Sequence, residues 1–170
     1  METNRNNRQN KSRVLNKPVI SLFLMMACGL FTMCSPGGAF YSDFKTIDNK
    51  GWTKSSPLVF ILPDSVRGVP CYDIALTIRH DNDYPYRNIS VLLDYVVGDQ
   101  VVERDTVSME LCDKYGDWGG SGLGKYFQKQ QVIKQGVASG KYDKVVVWHN
   151  MRDQVVTNVS DVGMTYYKAE

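Results

Sequence analysis

Histidine is scarce in this 170-residue chain, which has only His80 and His149. Each falls at the end of a predicted strand, and nothing in the sequence requires the two to converge. There is no Ser–His–Asp order and no nucleophile elbow, so no hydrolase constellation stands out. The four cysteines show no CxxC and no Cys/His spacing, which excludes a zinc ribbon or finger. Charge of one sign is lacking too. The chain carries 20 Lys and Arg against 18 Asp and Glu, and five of those bases but only one acid (Glu2) lie in the first 33 residues. The remainder is slightly acidic and gives nucleic acid no electrostatic reason to bind. No internal repeat is visible. An amphipathic helix is also missing: Gln128–Gln135 has helical composition without an apolar stripe. The expectation is a protein without enzymatic activity, cofactor or metal.

What is present begins at the N-terminus. Arg5, Arg8, Lys11, Arg13 and Lys17 precede the uncharged run Pro18–Met33, which ends at Cys34-Ser35-Pro36-Gly37-Gly38. A basic n-region followed by an apolar h-region describes a secretory signal. A cysteine at its exit suggests a bacterial lipoprotein, with residues 1–33 removed and Cys34 acylated as the first mature residue. Met33 is an unusual residue to precede such a cysteine. Cys28, preceded by Ala27, is the alternative, but it would leave Leu30, Phe31 and Met33 in the tether. An uncleaved anchor helix is the competing reading, although Pro36, Gly37 and Gly38 cut the apolar part short. In each case a lipid bilayer holds the domain, since two acyl chains anchor where one is marginal.

Residues 34–43 read as lipidated cysteine and tether, and 44–170 as one domain. Its periodicity is two. Tyr72, Ile74, Leu76 and Ile78 alternate with Asp73, Thr77 and Arg79, as a half-buried strand requires. Ile89, Val91, Leu93, Tyr95 and Val97 repeat the pattern. Gly98-Asp99 then predicts a two-residue hairpin turn into Gln100–Val107. Val145–Trp148 is apolar on both faces, which predicts a strand covered on both sides. Pro57–Leu62, Tyr126–Lys134 and Val162–Tyr166 complete an all-β, two-sheet sandwich of seven or eight strands, jelly-roll or immunoglobulin-like in order. Cys71 and Cys112 form either a disulfide or two buried free thiols; spacing does not decide.

Three local patterns have a functional and a plainer reading. Gly119-Gly120-Ser121-Gly122-Leu123-Gly124-Lys125 approaches a phosphate-binding loop, yet Tyr126 stands where Ser or Thr must hold magnesium. A glycine-rich turn is the better reading, and no nucleotide is expected. His80-Asp81-Asn82-Asp83 lacks the remaining oxygen ligands and the Gly of a calcium loop, so it reads as a solvated turn. Trp52, Trp118 and Tyr126 could form a sugar platform, or close the ends of the core.

Four segments carry a resemblance. They are Gly51-Trp52, Ile78-Arg79-His80-Asp81-Asn82-Asp83-Tyr84-Pro85-Tyr86-Arg87-Asn88, Gly116-Asp117-Trp118-Gly119-Gly120-Ser121-Gly122 and Met151-Arg152…Asp161-Val162-Gly163. In order and spacing they resemble the GldH family of gliding-motility lipoproteins of Bacteroidetes, over about Phe40 to Lys168. The resemblance implies a non-catalytic envelope lipoprotein that works with other envelope proteins of the gliding and type IX secretion-linked machinery. It supplies no catalytic residues. Acidic residues after the lipidated cysteine favour surface display in that group. Their absence from Ser35-Pro36-Gly37-Gly38 implies an anchor facing the periplasm. A membrane-tethered glycan-binding module is the alternative function.

The residues themselves suggest a site. Arg79 falls on the polar side of its strand, Pro85 stiffens the connection between Tyr84 and Tyr86, and Arg152 follows a buried-looking strand where its guanidinium could clamp a carboxylate. The expectation is that Arg79, Tyr84, Tyr86, Trp118 and Arg152 gather at one end of the sandwich, as a partner-binding face or an internal scaffold.

Overall fold

The computed structural model describes residues 38–169; the signal segment with Cys28 and Cys34 lies outside them. The strands are β1 (Ala39–Thr46), β2 (Trp52–Thr53), β3 (Leu58–Ile61), β4 (Cys71–Asp81), β5 (Asn88–Val97), β6 (Gln100–Glu110), β7 (Ser121–Leu123), β8 (Tyr126–Ala138), β9 (Lys144–His149), β10 (Val155–Val156) and β11 (Val159–Lys168). A single helical turn, α1 (Asp64–Arg67), buries Val66 and is the only helix among the described residues.

All strand pairs are antiparallel. One sheet has the order β1-β11-β4-β8-β7, the other β3-β9-β5-β6, and β10 pairs with β2 as a short ribbon. The pairs β5·β6, β4·β8, β3·β9, β2·β10 and β1·β11 nest inside one another. The chain is thus one long hairpin, with its tip at Gly98-Asp99, rolled up so that the nested pairs of long strands (β1·β11, β3·β9, β4·β8, β5·β6) fall alternately in the two sheets. That order is a jelly roll, and it settles the choice the sequence left open. Gly98 takes φ +58° at the first turn position, as the Gly-first turn demands.

The core follows from the alternation. Ile74, Leu76 and Ile78 of β4 face Leu93, Tyr95, Val145 and Val147 of the other sheet, all essentially buried. At one edge Lys134 of β8 reaches Asp105 of β6 at 3.0 Å and also contacts Glu103, to which the Tyr142 hydroxyl donates. These groups tie the two sheets together, and they hold the Glu103 carboxyl down to about 2.

Two expectations need correction. Strand β1 starts at Ala39, so the chain enters the sheet inside the segment read as tether; Phe40 and Tyr41 pack on the core, with Tyr41 5.9 Å from the Tyr166 ring. Strand β9 has one buried face (Val145, Val147, His149), whereas Val146 and Trp148 are only half-buried and shielded by strands to either side. The eight longer strands are those of the expected sandwich, and three strands of two or three residues accompany them. No disulfide links Cys71 and Cys112. Cys71 opens β4 opposite Ala138, while Cys112 follows β6 and bridges to Trp118 at the other end of the sandwich, so both are free thiols. Cys112 is buried and Cys71 half-buried.

Candidate functional site

The loops β4–β5, β6–β7 and β9–β11 meet at the end of the sandwich where β4 finishes. The opposite end holds the start of β1, the Gly98-Asp99 turn and the C-terminus. At the β4 end, His80 is fully buried on the inner face, next in the alternation after Ile78. Its ring centroid lies 4.6 Å from Trp118, 5.4 Å from Tyr84 and 5.8 Å from Phe127. His80 Nδ1–H donates to the Asp81 carbonyl at 2.9 Å, which fixes the tautomer and leaves Nε2 without a partner. Burial lowers the pKa of this ring, so it sits neutral inside an aromatic cage.

Around it, Tyr84 is buried and donates to the Asn88 carbonyl at 3.1 Å. Half-buried Tyr86 packs edge-on against Tyr84 at 5.7 Å and donates to the Asp153 carboxylate, which raises the pKa of its phenol. Trp118 Nε1 donates to Asn82 Oδ1 at 2.9 Å. Asn158 holds φ +63°, a conformation Asn tolerates better than most side chains. Its Nδ2 donates to the Asp83 carbonyl at 2.7 Å, and its own carbonyl accepts from Asp81 N–H at 3.0 Å. The three loops therefore form one rigid cap.

Of the five residues expected to gather, Tyr84, Tyr86 and Trp118 do. Arg152 is exposed beside Asp153 in the same cap, without a hydrogen bond or ion pair among the described residues. Arg79 is not in the cap. Adjacent strand residues point to opposite faces, so Arg79 leaves on the outer face of the larger sheet while His80 enters the core. There its guanidinium lies 4.0 Å from the Phe44 ring, and Nε–H donates to Gln128 Oε1 at 2.7 Å. His80, Phe127, Asn82 and Asp153 were missed as members of the cap. For His80 the signal was present, since it continues the apolar register of β4. For the others it was not, because loop contacts depend on which strands become neighbours.

Other candidates resolve as well. Trp52 is a core plug: it is buried, stacks edge-on against His149 at 5.5 Å, and donates to the Ser56 carbonyl at 3.0 Å. It presents no platform to a sugar. The glycine-rich segment forms β7 and a hairpin to β8 instead of a loop before a helix. Gly120 takes φ +92°, and a Cβ there would lie 2.1 Å from the Gln128 carbonyl oxygen; glycine is what lets β7 approach β8. Among the described residues, no three His, Cys, Asp or Glu side chains come together as a metal site needs.

The family model described as GldH lipoprotein matches residues 39–165, from the first strand into the last. The chain belongs to the GldH lipoprotein family. Its likeness to two relatives extends over nearly their whole length. A gliding motility lipoprotein GldH homolog of Christiangramia forsetii is 28% identical over 151 residues, covering 83% of this chain and 90% of that protein. The gliding motility lipoprotein GldH of Flavobacterium johnsoniae is 24% identical over 150 residues, covering 82% and 91%. Among solved structures, the tobacco streak virus coat protein overlays 75% of this chain and 87% of its own at a TM-score of 0.26 and 11% identity. An overlay that loose carries no argument. The jelly roll is thus the body that this GldH family member presents among the described residues, and the cap and the Arg79 face are two of its polar surfaces.

Proposed function

We propose that this chain is a lipid-anchored envelope protein, acylated on Cys34 and facing the periplasm, that serves the gliding machinery and its type IX secretion-linked partners without catalysing a reaction. The observation that carries the reading is the family match over the whole β-domain, together with relatives whose names assign them to gliding motility. The architecture supports it. Both histidines are buried, and desolvation depresses the pKa of each, which suits packing better than proton transfer. Strand β1 begins at the end of the sandwich away from the cap. The four residue steps from Cys34 to Gly38 span about 14 Å at most when extended. That tether would hold the β1 end near the lipid and turn Tyr86, Arg152 and Asp153 outward, toward a protein partner.

The test is made in native cells. A C-terminally tagged chain is crosslinked, purified from membranes and its companions identified by mass spectrometry. Recovery of motility or type IX secretion components that is lost in Arg152→Ala and Tyr86→Ala supports the partner role of the cap. Recovery of no envelope protein overturns it. Mass spectrometry of the mature N-terminus decides the anchor: acyl chains on Cys34 support the assignment, and acyl chains on Cys28 or none at all refute it.

A further inference from the structure

The outer face of the larger sheet carries a row of polar side chains across all five strands. Register places Thr46, Asp161, Arg79, Gln128 and Ser121 side by side on β1, β11, β4, β8 and β7. Thr46 donates to Asp161 at 2.8 Å and Arg79 Nε to Gln128 at 2.7 Å. Asp161 and Arg79 are register partners, yet they form no ion pair, and both Nη groups of Arg79 lack a hydrogen bond among the described residues. The guanidinium is nonetheless held in place by Phe44, whose ring sits over Gly163 because a side chain there would collide with it. Because Gln128 accepts through Oε1, its Nε2 amide group is left as a donor.

Asp161, Arg79, Gln128 and Ser121 of this row form the floor of a groove of about 700 Å³, walled on one side by Leu123 and Tyr126. Both wall residues are open to solvent, Leu123 at 88% and Tyr126 at 51% exposure. A groove of that size suits a ligand of one or two sugar rings. Its chemistry narrows the class. One guanidinium and one carboxylate leave the floor without net charge, so it carries no overall bias toward an anionic ligand. Donor and acceptor stand next to each other, and a sugar hydroxyl both gives and accepts a hydrogen bond. An apolar wall beside polar floor groups can receive the C–H face of a pyranose, as aromatic surfaces do elsewhere.

We propose that this groove is a binding site for a neutral glycan, with Arg79, Asp161 and Gln128 holding ring hydroxyls and Tyr126 with Leu123 stacking on the sugar. This second activity is distinct from the partner role of the cap: the groove lies at the same end of the sandwich but on the outer face of the larger sheet, where Arg79 points away from His80. It also moves the glycan site away from Trp52 and Trp118, which serve the core and the cap.

The experiment uses the full-length lipoprotein in detergent micelles and saturation-transfer NMR with cellobiose, maltose, lactose, chitobiose and mannobiose. The expected result is binding of at least one of the five. Affinity should fall about tenfold or more in Gln128→Ala, where a hydrogen bond to the ligand is lost, and in Tyr126→Ala. Arg152→Ala, which changes an exposed cap residue without a hydrogen bond among the described residues, should bind as the parent does. Tyr126→Ala removes an exposed side chain, so its melting temperature should stay unchanged and loss of binding would not reflect misfolding. No signal from any disaccharide overturns the proposal. So does binding that survives both groove variants, or a groove that takes glucuronic acid or an acidic peptide in preference to all five neutral sugars.

Discussion

Replacing Gly163 by Ala isolates the contact that positions Arg79. Gly163 lies opposite Phe44 in register, and a Cβ built on it meets the ring at 2.4, 2.6 and 2.8 Å. Carbon atoms in contact ordinarily stand about 3.5–4.0 Å apart, so the ring must move by roughly an ångström or leave. Phe44 is half-buried and can swing toward solvent. Leaving forfeits the packing on β11 and the stacking on Arg79, and overpacking of this kind costs about 1–3 kcal/mol. For a domain of this size a loss of 2 kcal/mol lowers Tm by roughly 5–10 °C. Calorimetry on four proteins reads it: the parent, Gly163→Ala, Phe44→Ala and the double variant. With the ring gone the three closest contacts of the added methyl, all to Phe44, are gone with it. In that background Gly163→Ala should therefore be neutral, or stabilising by about 0.5–1 kcal/mol, because alanine loses less freedom in a strand than glycine. The effect of one substitution thus reverses sign with the state of position 44, which additivity forbids. If Gly163→Ala lowers Tm equally in both backgrounds, the contact is not what glycine serves here.

Further expectations concern pH and packing. Glu103 is held at about 2, below its ordinary 4.5, by Lys134 and Tyr142. Its stabilising contribution is complete above about 4.5 and is lost as pH falls through about 2. Glu103→Gln should flatten the acid limb of the Tm–pH curve in that window, and an unchanged limb would refute the clamp. For His80 and His149 burial lowers the pKa from 6.5, so the unfolded chain takes up protons first. Stability should be full above 6.5 and decline as pH falls below it, with a smaller slope in His80→Phe; equal slopes in the two proteins would count against the buried neutral ring. Trp52→Ala empties a core position and should cost about 3–5 kcal/mol in denaturant unfolding. A loss below about 1 kcal/mol would mean that Trp52 is not a plug.

Strands β4 and β5 and the turn between β5 and β6 are legible in the sequence because their signals are local. Alternation over Tyr72–Ile78 sets one buried face, and Gly98-Asp99 supplies the backbone conformation that its turn needs. Strand β1 is harder to read. At the sheet edge its residues are exposed or half-buried without a period of two, and the polar Ser42, Asp43 and Lys45 blur the pattern. The same holds for β8, which reaches Ala138 although its alternation is weak past Lys134. Only β7 lies beyond it, and β7 covers three residues of its length. The two-residue strands β2 and β10 have too few positions for any period to show.

From the sequence by itself come the expectation of export, a body of β-structure with a tight hairpin at Gly98-Asp99, and the motifs of the GldH family. Those are properties of runs of neighbours: charge beside an apolar stretch, a period of two, and residues at set spacing. Only the tertiary structure decided that the hairpin rolls into a jelly roll and that Arg79 and His80 part company. The pairing of β4 with both β11 and β8 joins residues about fifty to ninety positions apart, and no local pattern encodes that register. From it follow a rigid cap around a buried imidazole on one side of the sheet, and on the other a polar row in which Thr46, Asp161, Arg79, Gln128 and Ser121 become neighbours.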